Sequence, residues 1–175
     1  MATHMEIVLR AAAFAAEKHR EGRRKGEEAS PYINHPIAAA HLLVRAGIED
    51  PAVLAGALLH DTVEDTATTV DELEVVFGYE IANIVAECTD DKSLSKLERK
   101  QAQIDHAAKI SHKAKLVKLA DKISNLNDIN GAPPAGWSLE RKREYFDWAK
   151  KVVDPMRGTN KTLEALFDAE YAKKP

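Results

Sequence analysis

Apolar residues recur at intervals of three and four along the whole chain, and no stretch alternates apolar with polar residues over the length of a strand. That periodicity predicts an all-α protein. Ile7, Ala11, Phe14 and Ala15 mark one face of a first helix over 6–20, and Gly22 to Ser30 reads as a polar, glycine-punctuated loop. A second helix is expected from Pro36 to about Gly47. Asp50 as N-cap and Pro51 at the first helical position open a third, which carries the apolar run Ala52 to Leu59. Thr69 with Glu72 has the spacing of a capping box for a short helix ending at Gly78, and a fifth helix follows over 79–89. Ser95 with Glu98 repeats the capping-box spacing, and a long helix runs from about His112 to Ile129. Gly131, Pro133, Pro134 and Gly136 break the chain before Ser138 caps a helix to about Val153, and Thr159 is read as the cap of the last.

At 175 residues the chain suits one domain, with no linker, repeat or low-complexity segment to divide it. A domain of this size buries roughly two-thirds of its unfolded surface, so folding requires neither disulfide nor structural metal. The single cysteine, Cys88, fits a reducing compartment and leads us to expect a cytoplasmic protein. The longest apolar run is eight residues against the ~20 needed to span a membrane, so no membrane association is expected. A net charge of -3, from 25 basic and 28 acidic residues, supplies no global field for nucleic acid. Any anion site must be local. Met1 to Met5 is read as an expression leader with the native start at Met5, which removes His4 from the site reasoning.

The sharpest local feature is His60-Asp61-Thr62-Val63-Glu64-Asp65, one imidazole and three carboxylates in six residues. A solvated acidic helix end is the ordinary reading of such a cluster, but negative charge at a helix C-terminus opposes the macrodipole. If the third helix continues through Asp65, Glu64 stacks one turn after His60, and Asp65 one turn after Asp61. His35, directly before Pro36, is read as an extended residue free to point into a cleft. Asp121 lies close to the inward stripe of Val117, Ala120 and Ile123, where an aspartate is costly unless paired, and Asn125 shares its face. Two histidines and two aspartates form a nitrogen and oxygen ligand set that suits Mn²⁺, and the lack of cysteine disfavours structural zinc. Glu64 and Asp65 would orient a water or take its proton. Arg23, Arg24 and Lys25 form one cationic group. Lys92, Lys96, Arg99 and Lys100 form another, for which a solvated face is an equal reading.

The order His35, His60-Asp61, Asp121 resembles the signature of the HD superfamily of metal-dependent phosphohydrolases. Pro31-Tyr-Ile-Asn-His-Pro36, Ala57-Leu-Leu-His-Asp-Thr-Val-Glu-Asp65, Thr89-Asp-Asp-Lys92 and Lys115-Leu-Val-Lys-Leu-Ala-Asp-Lys122 are similar to the hydrolase domain of RelA/SpoT-type alarmone enzymes. Among these the chain resembles the stand-alone small hydrolases, the animal Mesh-type in particular. The resemblance implies a bundle of about ten helices, one Mn²⁺, and hydrolysis of the 3′-pyrophosphate of guanosine tetraphosphate or pentaphosphate. It implies His35, His60, Asp61 and Asp121 as metal ligands and Glu64 and Asp65 as the catalytic acidic pair. Arg24 is placed against the guanine base beside Lys25, with Asn125 and Tyr145 lining the ribose and phosphate pocket; Lys96 and Arg141 complete the expected substrate contacts. Trp137, Phe146 and Trp148 are read as packing residues. The family often carries an arginine where this chain has Asn127, two residues after Asn125. Two other readings stay open: a phosphatase acting on another phosphorylated nucleotide such as NADPH, and a non-catalytic nucleotide sensor. The implied partner is a small nucleotide, and assembly as a homodimer also stays open.

Overall fold

The computed structural model describes residues 2–175; Met1, part of the expected leader, lies outside the described residues. Among these the chain forms ten α-helices, one short 3₁₀ turn and no strand. In order they are α1 (His4–Lys18), α2 (Asn34–Arg45), α3 (Pro51–Leu59), α4 (Thr62–Asp65), α5 (Val70–Phe77), α6 (Tyr79–Cys88), α7 (Lys96–Ala107), α8 (His112–Gly131), α9 (Leu139–Val153), the 3₁₀ turn Asp154–Met156, and α10 (Lys161–Tyr171). The all-α expectation holds.

Helix α3 is the hub. Every residue from Ala52 to Leu59 is buried, and the helix packs on α1, α2, α6 and α8. A helix apolar on all sides must be buried on all sides. Helix α8 is the second central element, packing on α2, α3, α6, α9 and α10 and burying Leu116, Val117, Leu119, Ala120, Ile123 and Leu126. Gly56 lets α3 and α6 approach: a Cβ built there would lie 2.6 Å from Ile84 Cγ2, on a branched side chain with little freedom to yield. Gly56→Ala is therefore expected to destabilise the protein by about 1–3 kcal/mol, read as a lowered urea midpoint at unchanged slope.

Several boundaries differ from the sequence reading for local reasons. The first helix is shifted to His4–Lys18, because Thr3 accepts from the Glu6 amide and caps it. Helix α2 begins at Asn34 and so includes His35, which is helical and not extended. The Pro31-Tyr32 turn, with Asn34 and His35 amides bonded to the Pro31 and Tyr32 carbonyls, starts the helix, and Pro36 sits in the first turn where no amide hydrogen is needed. The third helix does not run through Asp65. Thr62 Oγ1 donates to the Leu59 carbonyl at 2.7 Å and His60 Nδ1 meets the Ala57 carbonyl at 2.7 Å, so side chains take the acceptors and the helix restarts as α4. Thr69 caps α5 through the Glu72 amide, but the Glu72 carboxylate reaches Lys18 at 2.8 Å instead of closing the box; Ser95 and Glu98 form the full capping box. Asn160, not Thr159, caps the last helix, since Thr159 Oγ1 donates back to the Met156 carbonyl.

The Gly22 to Ser30 loop is closed on itself and anchored near its middle. The Arg24 amide donates to the Ser30 carbonyl at 2.8 Å, and the Ala135 amide donates to the Lys25 carbonyl at 2.7 Å. The loop is thereby fixed to the turn between α8 and α9.

Candidate metal centre and cleft

His35 from α2, His60 and Asp61 from the α3–α4 break, and Asp121 from α8 converge although up to 86 residues separate them. His35 Nε2 lies 3.1 Å from Asp121 Oδ1 and 3.6 Å from Asp61 Oδ2; His60 Nε2 lies 3.1 Å from Asp61 Oδ2 and 3.5 Å from Asp121 Oδ1. One donor atom each from His35, His60 and Asp121 falls within 4.8 Å of the others. The break at His60-Asp61 turns two consecutive side chains toward one point, which an unbroken helix would splay apart.

Each of the four groups has a further hydrogen-bond partner. His35 Nδ1 lies 3.1 Å from Ser124 Oγ, and His60 Nδ1 is fixed by the Ala57 carbonyl. Asp61 Oδ2 accepts from Tyr32 Oη at 2.6 Å; Asp121 accepts from Asn125 Nδ2 at 2.6 Å and from Lys122 Nζ at 3.0 Å. Such partners fix tautomer and orientation at metal centres. With Nδ1 committed to the Ala57 carbonyl, the buried His60 Nε2 makes no well-formed hydrogen bond and faces only the Asp61 and Asp121 carboxylate oxygens, an arrangement that a cation between them would relieve. The donor set thus fits a divalent cation. Burial opposes charge on His60, yet the Asp61 and Asp121 carboxylates outweigh it and raise its pKa well above the usual imidazole range. For Asp61, burial would raise the pKa, but the His60 and His35 imidazoles bring it well below the usual carboxylate range; at Asp121 the same burial is overcome first by Lys122.

A cleft of about 430 Å³ opens over this cluster. Glu64 and Asp65 line it beside the four groups. Burial pushes the Glu64 pKa up, reinforced by the neighbouring Asp90 charge, although the Asp90 amide donates to the Glu64 carboxylate at 3.2 Å. Asp65 is exposed, 3.6 Å from Lys92. Arg24, Lys25, Asn125 and Tyr145 also line the cleft; Lys96 and Arg141 do not. Both sit on exposed helix surface, with Arg141 4.3 Å above the ring of Trp137. Trp137, read from sequence as packing, borders the cleft.

Arg24 is fixed before any ligand arrives: its guanidinium grips Asp128 with two nitrogens, donates to Asn125 Oδ1 at 3.0 Å and lies 5.4 Å above the Tyr32 ring. Tyr145 is pushed up to about 12 by burial. The sequence reading missed Tyr32, Lys118, Lys122 and Asp128. Two of these carried a signal, since Lys118 and Lys122 interrupt the buried stripe of α8 at the same one-turn spacing as Asp121 and Asn125.

The chain belongs to the HD-domain family, whose sequence pattern matches residues 11–147. Within that family it is similar to the proteins named guanosine-3′,5′-bis(diphosphate) 3′-pyrophosphohydrolase MESH1. The Xenopus tropicalis protein is 55% identical, over 96% of this chain and 94% of its own length, and the human protein is 55% identical, over 94% and 92%. The structure superposes with a TM-score of 0.92 on that of a metazoan orthologue of SpoT described as hydrolysing ppGpp, 49% identical and aligned over 95% of this chain and 94% of the other. No helix of the described residues is long and apolar enough to cross a membrane.

Proposed function

We propose that this chain is a guanosine-3′,5′-bis(diphosphate) 3′-pyrophosphohydrolase. It removes the 3′-diphosphate of ppGpp or pppGpp and yields GDP or GTP with pyrophosphate, using one Mn²⁺ held by His35, His60, Asp61 and Asp121. The observation that carries this reading is the buried four-group cluster, in which His60 Nε2 faces only carboxylate oxygens, in a cleft bordered by both acidic and basic side chains. The likeness to the MESH1 proteins over nearly the whole chain supports it. The two nitrogens and two carboxylate oxygens favour a hard or borderline ion such as Mn²⁺. The cytoplasm, where such nucleotides occur, is the compartment that suits the chemistry.

When bound, the ion supplies positive charge to a phosphate oxygen and acidifies water near neutral pH. The remaining work falls to the side chains. The water oxygen bonds to the phosphorus attached to O3′ and the P–O3′ bond breaks. One water proton passes to the Glu64 carboxylate, whose basicity burial raises above that of an ordinary carboxylate, and a proton returns to O3′ as the ribose hydroxyl. Pyrophosphate departs carrying the water oxygen. Asp65 helps to orient the water. Arg24 and Tyr145 border the nucleoside, Arg24 presenting a planar guanidinium already held by Asp128 and Asn125. Lys25 and Asn125 complete the phosphate and ribose contacts from the cleft wall, and Lys96 and Arg141 act from outside it, where their charges steer the polyanion.

The test is the ratio of kcat/KM for ppGpp to that for NADPH with the Mn²⁺-loaded protein. A ratio well above one, with GDP and pyrophosphate as products, is expected. A ratio below one, with free phosphate as the product, would assign the site to nucleotide phosphomonoesters.

A further inference from the structure

Two of the five Lys and Arg side chains bordering the cleft are neutralised by carboxylates. Arg24 is neutralised by Asp128 and Lys122 by Asp121, while Arg23 and Lys25 are exposed to solvent. Lys118 differs. It is only 7% exposed, stands one turn before Lys122 on α8, and among the described residues its ammonium pairs with no carboxylate and donates to no oxygen. Its stem is packed away while its ammonium faces the open space of the cleft, so it is a cation held in place and free to meet an anion there.

Its position indicates which ligand. Lys118 borders both the main cleft and an adjoining cavity of about 220 Å³, and Gln103 is the other residue common to the two. Gln103 spends its amide nitrogen on both carboxylate oxygens of Asp90, at 2.9 and 2.8 Å, and its Oε1 is buried without a donor. Of the two residues on this wall only Lys118 can attract an anion, since the free atom of Gln103 is an acceptor. Lys118 is three residues from Asp121 and so stands on the ion-site side of α8, whereas Arg24 lies at the far turn beside Asn125 and Asp128.

We infer that Lys118 binds the diphosphate group being transferred, holding it during attack and retaining pyrophosphate after the P–O3′ bond has broken. This assignment rests on the hydrolase reading above for the identity of the group, though not for the presence of an anion site. Lys118 forms no bond in the reaction. It donates hydrogen bonds to phosphate oxygens that no carboxylate of the protein contests, which is the strong, charge-assisted kind of contact.

The experiment is calorimetric titration of inorganic pyrophosphate, and separately of GDP, into the Mn²⁺-loaded wild type, Lys118→Met and Lys118→Gln, with metal content measured for each. The account predicts pyrophosphate affinity reduced by about tenfold or more in both variants, with metal content and GDP affinity changed less than about twofold. It also predicts that added pyrophosphate raises the melting temperature of Lys118→Met less than that of the wild type. Wild-type pyrophosphate affinity in either folded, metal-loaded variant would overturn the inference, as would an equal loss of GDP affinity. If the wild type fails to hydrolyse ppGpp yet binds pyrophosphate through Lys118, the hydrolase reading falls and the anion site stands. If it hydrolyses ppGpp and Lys118→Met still binds pyrophosphate normally, the inference alone falls.

Discussion

Asp61→Ala is expected to empty the metal site and to lower turnover by about a thousandfold or more. Asp61 Oδ2 stands 3.1 Å from His60 Nε2 and 3.6 Å from His35 Nε2, and it is the carboxylate on which Tyr32 Oη anchors. Its loss would remove one proposed ligand, leave two imidazoles facing Asp121 alone, and strand the half-buried Tyr32 phenol. The stabilisation that an ion gives to phosphoryl transfer is worth several kcal/mol, and each ~1.4 kcal/mol is tenfold in rate. Metal analysis after dialysis, alongside turnover at saturating substrate, checks the result. A variant that retains stoichiometric metal would remove Asp61 from the ligand set.

Glu64→Gln should separate chemistry from metal binding. Glu64 borders the cleft, but its carboxylate is engaged by the Asp90 amide and not by the ligand cluster. Metal content should therefore stay at the wild-type level while kcat falls by about 10²–10⁴-fold, the range for loss of a positioned base. The pH profile carries a second signature. Burial and Asp90 raise the Glu64 pKa, so the wild type loses activity as pH falls through that raised value and the base takes up a proton. At saturating metal the glutamine variant should lose that acid limb. The sign for stability is opposite: a carboxyl with a raised folded pKa favours the fold below its unfolded pKa, and that contribution disappears as pH rises through the folded value. Glu64→Gln should therefore melt slightly higher than wild type at neutral pH. Loss of metal equal to that of Asp61→Ala would merge the two roles.

Sequence reached furthest where partners are close along the chain. The His60-Asp61 and Glu64-Asp65 pairs were legible because four ionisable groups in six residues are hard to solvate at a helix end. Most helices were legible from their caps and three-to-four periodicity. The break between α3 and α4 was not, because it depends on Thr62 and His60 side chains capturing carbonyls one turn back. Nor was the early start of α2, where the turn at Pro31-Tyr32 overrides the extended preference of the residue before Pro36. The supports of the site stayed hidden because they bridge long separations: Arg24 to Asp128 spans 104 residues and Tyr32 to Asp61 spans 29. Lys118 could have been suspected as a lysine inside an apolar stripe, but that it borders the cleft depends on elements distant in sequence.

Chelation and reloading decide whether turnover depends on an ion in this cluster. Protein stripped of divalent ions, then incubated with ppGpp and increasing Mn²⁺, should recover from no turnover to full turnover at one ion per chain, releasing GDP and pyrophosphate in equal amounts. Turnover that persists without the ion, or release of single phosphates in place of pyrophosphate, would contradict the proposed function.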